Sequence, residues 1–283
     1  MASRSIDKLT REWIRGPADE AAAAAGCRFD LDRGRYVVDW IEKYCKLYEG
    51  EWAGQPMKLS DWQLDCTLRL FGWVRRSDKW GRDIRRFRRA SIWVAKKNKK
   101  SPTLSAWGLY LLAGDGEQGQ KIYLAAKDGE QSREIAGKHA VEMLMRSPEL
   151  QAECTLNRNL LQITHEPTRS LMKPLSSANS RNQQSKEGLN GSILVDEVHV
   201  VDREFMDRLS RAGISRSEPL QIEVSTAGNN PDGYGKGRFD LAKSVEAGET
   251  IDQGLFAAIY AAPQDLSDTD LEADPIGYAK MAN

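Results

Sequence analysis

The chain lacks long hydrophobic runs: none of its 283 residues lies in an apolar stretch near the roughly 18 residues that a membrane-spanning helix requires. Residues 1–15 also lack the apolar core of a secretory signal peptide, so we expect a cytoplasmic protein without a membrane partner. The four cysteines form no CxxC pair and no regular framework, which fits reduced thiols. The three histidines, at positions 139, 165 and 199, are too scattered for a histidine-based metal site.

Net charge is also absent, because 41 basic residues balance 41 acidic ones, and by itself this balance argues against a nucleic-acid partner. The two signs are segregated along the chain, however. Residues 75–100 contain twelve lysines and arginines against only Asp78 and Asp83, a net charge of +10, whereas residues 240–283 carry −7. The basic segment is therefore suited to bind the phosphates of a nucleotide, of DNA or of both.

The composition, with 40% hydrophobic and 29% charged residues, predicts a folded chain with a buried core. All eight tryptophans lie within the first 107 residues, where helices are predicted over 17–26, 36–48 and 59–72. Further along, strands are predicted over 91–95, 121–126, 160–164, 192–195, 220–225 and 256–260, and helices over 101–113, 128–146, 202–212 and 236–247. This alternation predicts a mainly parallel sheet with helices on both faces, and ligands at the carboxyl ends of its strands.

A lysine-rich loop follows the first of these strands and leads directly into a helix: Lys96, Lys97, Asn98, Lys99, Lys100 and Ser101. Lys100 and Ser101 match the last two positions of the P-loop pattern, but Val94 and Lys99 stand where that pattern has glycine. Amides at a helix N-terminus can still bind phosphate, Lys100 can reach the β- and γ-phosphates, and the Ser101 hydroxyl can bind Mg²⁺. The alternative is a solvated basic turn.

Two carboxylates, Asp196 and Glu197, end the predicted strand over 192–195. An aspartate at this place can hold Mg²⁺ through water, and the adjacent glutamate can polarise a water molecule for attack on the γ-phosphate. Exposed acids at the end of a strand are common. An apolar strand that ends in Asp-Glu, 96 residues after a Lys-Ser loop, is much less common and favours a nucleotide site.

Weaker candidates flank these two motifs. Ser225, Thr226, Ala227, Gly228 and Asn229 follow a predicted strand and could touch the γ-phosphate or the attacking water, although such residues also form ordinary turns. The Gln63 amide suits the edge of adenine, and an aromatic such as Trp62 could stack nearby; the alternative is a helix-surface residue. Two glycine-rich segments, over 114–119 and 232–238, are predicted as loops, although the first matches GxGxxG.

With these residues in place, the chain resembles the ATPase portion of the large terminase subunits of tailed bacteriophages, the motors that package DNA into capsids. The similarity runs from about Val37 to Ala262. Five elements in the same order carry it: Leu59–Gln63 with Phe71–Trp73, Lys96–Ser101, Tyr123–Gln131, Ile193–His199 and Ser225–Gly228.

The resemblance implies a P-loop NTPase of the additional-strand, catalytic-glutamate type, with ATP and Mg²⁺ as cofactors. By position, Trp62 and Gln63 match the adenine motif, and Lys100 and Ser101 match the phosphate-loop lysine and hydroxyl. Asp196 then matches the Mg²⁺ acid and Glu197 the catalytic carboxylate, and Ser225 to Gly228 match the motif that couples hydrolysis to movement. The implied partners are double-stranded DNA, further copies of the chain in a ring, the small terminase subunit and the portal protein, all in the host cytoplasm.

Two positions depart from the family pattern, because Lys99 replaces glycine and Lys96 replaces an arginine that relatives often carry. Since lysine cannot copy the planar fork of arginine, we expect an arginine from another segment or a neighbouring subunit to complete the site. The candidates are Arg133, Arg181, Arg211 and Arg216.

The sequence predicts a helical region over 1–58, an ATPase core over 59–262 and an acidic linker over 263–283. The family also has a C-terminal nuclease, and we expect no nuclease activity from this chain. Two other functions stay open at this stage. One is a helicase-like DNA-remodelling ATPase, and the other is a non-catalytic module whose degenerate loop holds no ATP and whose basic segment docks DNA or a partner.

Overall fold

The computed structural model describes residues 6–176, 189–226, 228 and 230–261, so the predicted linker over 263–283 lies outside the described residues. The N-terminal region contains helices α1 (Lys8–Glu12), α2 (Pro17–Ala24), α3 (Leu31–Tyr44) and α4 (Asp61–Gly72). Strands β1 (Arg28–Phe29), β2 (Trp73–Ser77) and β3 (Arg82–Arg85) form a small antiparallel sheet beside them.

The main sheet has eight strands: β4 (Arg89–Val94), β5 (Lys121–Ala126), β6 (Cys154–Asn157), β7 (Gln162–His165), β8 (Ser170–Ser176), β9 (Gly191–Asp196), β10 (Gln221–Ser225) and β11 (Leu255–Tyr260). Their spatial order is β11-β4-β10-β9-β5-β8-β7-β6. The six strands from β11 to β8 are parallel, and β7 and β6 are antiparallel to their neighbours.

Helices connect these strands: α5 (Lys100–Leu109), α6 (Gly129–Glu134), α7 (Glu142–Leu144), α8 (Pro148–Glu153), α9 (Arg203–Leu209) and α10 (Tyr234–Glu246). Wider π-helical turns continue α5 over Tyr110–Gly114 and join α6 to α7 over Ile135–Val141. Among the helices that the structure describes, none is long and apolar enough to cross a membrane.

Strand β10 lies between β4 and β9 and is parallel to both. One strand therefore separates the lysine-rich loop, which follows β4, from the two carboxylates at the end of β9. This is the arrangement of the additional-strand P-loop class, and the predicted fold class is confirmed. Because all three strands point the same way, the loop and the carboxylates meet at one edge of the sheet.

The core lies on both faces of this sheet, as the alternation of strands and helices predicted. Along β5, Ile122 and Leu124 belong to one buried cluster, whereas Tyr123 and Ala125 belong to another on the opposite face. The first cluster also contains residues of α3 and α4, so the N-terminal helices share a core with the main sheet.

Several elements were missed in the sequence. Strand β8 contains Pro174, which cannot donate to a ladder and therefore argues against a strand. Pro174 lies opposite Leu124 of β5, but β7 pairs with β8 only over Ser170–Met172. Among the described residues, Pro174 therefore has a strand partner on one side only, so a missing N–H is tolerated there. The segment over 232–238 is also partly helical, since α10 begins at Tyr234 and includes Gly235 and Gly237.

Most arginines of the basic segment over 75–100 pair with other groups of the fold. Fewer of its cations are therefore available for phosphate than the sequence suggested. Arg86 donates to Asp19 at 2.6 Å and Arg82 donates to Glu218 at 3.2 Å. Arg85 contacts the same Glu218, Arg88 donates to the Ser217 carbonyl, and Arg89 pairs with Asp252. These arginines therefore connect β3 and β4 to neighbouring segments. The exposed cations of the basic segment lie mainly in the antiparallel pair of β2 and β3 and in the lysine-rich loop.

Candidate nucleotide-binding site

The lysine-rich loop leaves β4 after Val94 and enters α5 at Lys100. Lys97 and Lys99 have φ angles of 70° and 56°, and Lys99 has the left-handed conformation at the N-cap of α5. This is where the P-loop pattern places glycine, and a non-glycine residue adopts it at a cost of about 1–2 kcal/mol. Lys99 therefore forms the same left-handed turn that glycine forms in the P-loop pattern.

The strained turn is held by a buried hydrogen-bond chain. Thr103 donates its hydroxyl to the Lys99 carbonyl at 2.8 Å, and the same hydroxyl accepts from Nε2 of Gln63 at 2.6 Å. The other amide atom of Gln63 accepts from the backbone and side chain of Ser60, which closes the capping box at the start of α4. The N-terminus of α4 is thus linked through these hydrogen bonds to the backbone of the lysine-rich loop.

These hydrogen bonds occupy atoms that the predicted adenine contacts would need. Gln63 is only 1% exposed and both atoms of its amide are engaged by Ser60 and Thr103. Trp62 is buried as well and packs near Tyr260, with ring centroids 6.1 Å apart. The structure brings both residues near the loop, and their contact with adenine stays a prediction.

The loop and the strand-end carboxylates meet as the sequence predicted. Ser101 donates its hydroxyl to Oδ2 of Asp196, and Asp196 also accepts from the Glu197 backbone amide at 2.9 Å. Nζ of Lys100 lies 3.6 Å from Oε1 of Glu197, and the Lys100 side chain is 7% exposed. The four groups thus form one cluster at the N-terminus of α5, whose first turn carries no acid that would oppose a bound anion.

Asp196 and Ser101 fit a magnesium ion. Mg²⁺ prefers oxygen ligands, takes few of them from the protein and completes its shell with water and phosphate. Burial raises the pKa of Asp196 to about 6, and Ser101 and Lys100 oppose that shift. Burial thus disfavours the charged form of this carboxylate, and a nearby cation would stabilise that form. Among the described residues, no group of three or more His, Cys, Asp or Glu side chains is placed to hold a metal.

Part of the segment after β10 also reaches the cluster. The Thr226 hydroxyl lies 3.5 Å from Oε2 of Glu197, and the Ser225 hydroxyl contacts the backbone and ring of His199. Gly228 packs against the His199 side chain, because a Cβ at position 228 would lie 2.7 Å from that of His199. Ala227 and Asn229 lie outside the described residues.

The remaining lysines of the loop, Lys96 and Lys97, are exposed, and Asn98 is partly exposed. Two residues of the cluster were missed in the sequence. Thr103 lies one helical turn beyond Lys99, a spacing that allows back-bonding to a carbonyl. No local sequence pattern indicates a role for His199, because its contacts with Ser225 and Gly228 arise only when β9 folds beside β10.

The candidate arginines lie in different places. Arg216 donates to the carbonyls of Gln118 and Gly119 and to the Asn190 side chain, before β5 and β9 begin. It therefore lies at the opposite edge of the sheet from Lys100. Arg133 is exposed on α6 and donates to the Asn159 carbonyl at 3.2 Å. Arg211 is exposed after α9, and Arg181 lies outside the described residues.

Comparisons with known proteins agree with this geometry. Residues 61–244 match the family "Terminase large subunit, ATPase domain". The large terminase subunit of Enterobacteria phage HK97 is 27% identical over 244 residues, which cover 83% of this chain and 44% of that protein. The crystal structure of the HK97 large terminase matches with a TM-score of 0.67 at 24% identity, over 88% of this chain and 50% of that one.

The chain thus spans about half the length, or less, of the relatives that it matches. The matched region runs from the start of α4 to the last turn of α10 and contains the lysine-rich loop, the two carboxylates and the segment after β10. The chain therefore belongs to the family of terminase large subunits, in its ATPase domain.

Proposed function

We propose that this chain binds ATP with Mg²⁺ between the lysine-rich loop and the end of β9, and hydrolyses it to drive double-stranded DNA into a procapsid. The observation that carries the proposal is the cluster of Lys100, Ser101, Asp196 and Glu197 in a chain of the terminase family. A helicase-like remodeller shares this core, and strand separation by the chain without packaging would favour that function instead.

Each residue has a distinct part in this proposal. The amides at the N-terminus of α5 and the ammonium of Lys100 bind and orient the β- and γ-phosphates. Ser101 and Asp196 would hold Mg²⁺, which neutralises charge on the phosphate oxygens when bound. Glu197 accepts a proton from the water that attacks the γ-phosphate, and Lys100 balances the negative charge that develops there.

The site is proposed to be completed by a neighbouring subunit. Arg216 is used elsewhere in the fold, and a phosphoryl-transfer site gains about 10³–10⁵ in rate from an arginine placed on the transferred group. An arginine supplied across the interface of a ring would act in this way. The small terminase subunit and the portal protein are the further partners that packaging would require.

Steady-state ATP hydrolysis against protein concentration, with and without double-stranded DNA, tests the proposal. We expect the rate per subunit to climb with concentration and to rise further with DNA. A rate that stays at background under all these conditions would overturn the motor. If millimolar ATP with Mg²⁺ also gave no binding signal, the non-catalytic docking module would be favoured.

A further inference from the structure

His199 connects the two sides of the candidate site. Its Nδ1 lies 3.0 Å from Oε2 of Glu197 and 2.9 Å from the hydroxyl of Ser225, and its backbone amide donates to that same hydroxyl at 3.2 Å. Glu197 directly follows the last residue of β9, whereas Ser225 is the last residue of β10. One imidazole therefore contacts both strand ends.

The position of His199 is fixed by close packing against two glycines. A Cβ at Gly228 would lie 2.7 Å from the His199 Cβ, and a Cβ at Gly235 would lie 2.5 Å from the His199 Cα. Since a side chain fits at neither position without movement, the backbone of His199 is pressed against the start of α10. A displacement of His199 would therefore move α10 and the segment that precedes it.

Nδ1 carries at most one hydrogen, yet two oxygens lie beside it: the Ser225 hydroxyl, with which it makes a hydrogen bond, and Oε2 of Glu197, 3.0 Å away in an ion-pair contact. Because an ionised Glu197 only accepts, it attracts Nδ1 when that nitrogen carries the hydrogen. Ser225 then accepts from the His199 backbone amide and donates to the Thr226 carbonyl, 3.1 Å away. If the Ser225 hydroxyl instead donates to Nδ1, that nitrogen has no hydrogen for Glu197.

Glu197 has three partners, because Lys100 contacts Oε1, whereas His199 and the Thr226 hydroxyl contact Oε2. If phosphate draws the Lys100 ammonium away, His199, at 3.0 Å, is the nearer of the two groups that still orient the carboxylate. We propose that His199 is a positioning residue that aims Glu197 at the attacking water and passes its movement to Ser225 and α10. This inference rests on the ATP hydrolysis proposed above and adds a residue that acts through Glu197.

The matched variants His199→Asn and His199→Gln test this role. The asparagine amide nitrogen occupies nearly the place of Nδ1, whereas the glutamine amide reaches the place of Nε2 and cannot reproduce both short contacts. We expect H199N to keep kcat within about threefold of the parent and H199Q to lose roughly tenfold or more, because only the asparagine amide can keep a polar hydrogen beside the Glu197 carboxylate. ATP affinity, measured by titration, should change little in both variants.

A purely structural histidine would give another result. In that case both variants would lower the unfolding midpoint and ATP affinity together, and H199N would rescue nothing. Equal kcat values for the parent, H199N and H199Q would also overturn the inference.

The Glu197→Gln variant separates this inference from the proposed function. If the parent hydrolyses ATP and E197Q does not, the site is catalytic and the histidine variants decide the role of His199. If the parent neither binds nor hydrolyses ATP, the proposed function fails and the role of His199 fails with it.

Discussion

Lys100 and Glu197 face each other across the site, with Nζ of the lysine 3.6 Å from Oε1 of the glutamate. They lie 97 positions apart in the sequence and are brought together because, among the strands that the structure describes, β10 alone separates β4 from β9. The cation is suited to bind phosphate and the carboxylate to activate water. Their pairing also keeps two partly or fully buried charges compensated by each other.

Replacing Lys100 by alanine should weaken ATP binding. The phosphates lose a cation that hydrogen-bonds to them, and a bond of this type contributes about 1.5–3 kcal/mol, so Kd should rise roughly 10- to 100-fold. Nucleotide titration with Mg²⁺ measures the change. The matched control is Lys8→Ala, which removes a lysine whose side chain is 93% exposed on α1. Equal affinity for the parent and K100A would contradict the assigned phosphate contact.

Replacing Lys99 tests whether its left-handed backbone is strained. Glycine removes the side-chain clash at φ 56° but adds freedom to the unfolded chain, so K99G should raise the free energy of unfolding by up to about 1 kcal/mol. Valine, which is branched at Cβ, should lower it. Urea unfolding of the two variants beside the parent is the measurement. A loss of stability in K99G would show that the Lys99 side chain contributes more than the strain costs.

Replacing Thr103 by valine should break the chain from Gln63 to the Lys99 carbonyl. The substitution keeps the side-chain shape but removes the acceptor of the buried Gln63 amide, whereas the Lys99 carbonyl keeps the Thr103 backbone amide as its donor. We expect a cost of about 1–3 kcal/mol of stability. The control is Thr155→Val, an exposed threonine on β6. Chemical unfolding compares the two. If T103V is as stable as T155V, the hydrogen bonds from Gln63 through Thr103 to Lys99 do not stabilise the lysine-rich loop.

Replacing Glu218 by glutamine should destabilise the fold in a pH-dependent way. Burial opposes ionisation of Glu218, but Arg85 and Arg33 outweigh it and lower the pKa to about 2. A lowered pKa means that the charged form stabilises the fold above the unfolded value near 4.5, and that this contribution is lost as the pH falls towards 2. At neutral pH, breaking such a buried pair costs about 3–5 kcal/mol.

The difference in unfolding free energy between the parent and E218Q, followed from pH 7 downward, isolates this group. Asp115 in the same cluster has a pKa that burial raises to about 6, and its titration is common to both proteins in a first approximation. Glu12→Gln, at an exposed pair with Lys8, is the control and should change stability by less than about 1 kcal/mol. A difference that does not shrink below pH 4.5 would contradict the pairing.

The parts of the fold that were predicted from the sequence depend on local patterns. The apolar run before Lys96 and the one that ends at Asp196 each form a strand, since such runs between turn residues favour buried parallel strands. The sequence also indicated that the lysine-rich loop leads from a strand into a helix, because these three segments are adjacent in the sequence. Phosphate and metal binding by Lys100 and Ser101 stay predictions.

The missed parts depend on contacts between distant segments. Pro174 lies in a strand because β8 pairs with β5, and it is tolerated there because β7 pairs only as far as Met172. Arg85 and Arg86 are buried because Glu218 and Asp19 fold onto them. The role of His199 likewise follows from its neighbours on β10 and α10. No local sequence pattern encodes these contacts.

The most direct test of the central claim, that Glu197 serves hydrolysis at an ATP site built by Lys100 and Ser101, is a comparison of the parent with Glu197→Gln. ATP affinity and single-turnover hydrolysis are measured on the same preparations, with Glu51→Gln as an exposed control. We predict that E197Q binds ATP as the parent does or more tightly, and that its hydrolysis falls by about 10²–10⁴-fold. Hydrolysis by E197Q at the parental rate would contradict the account.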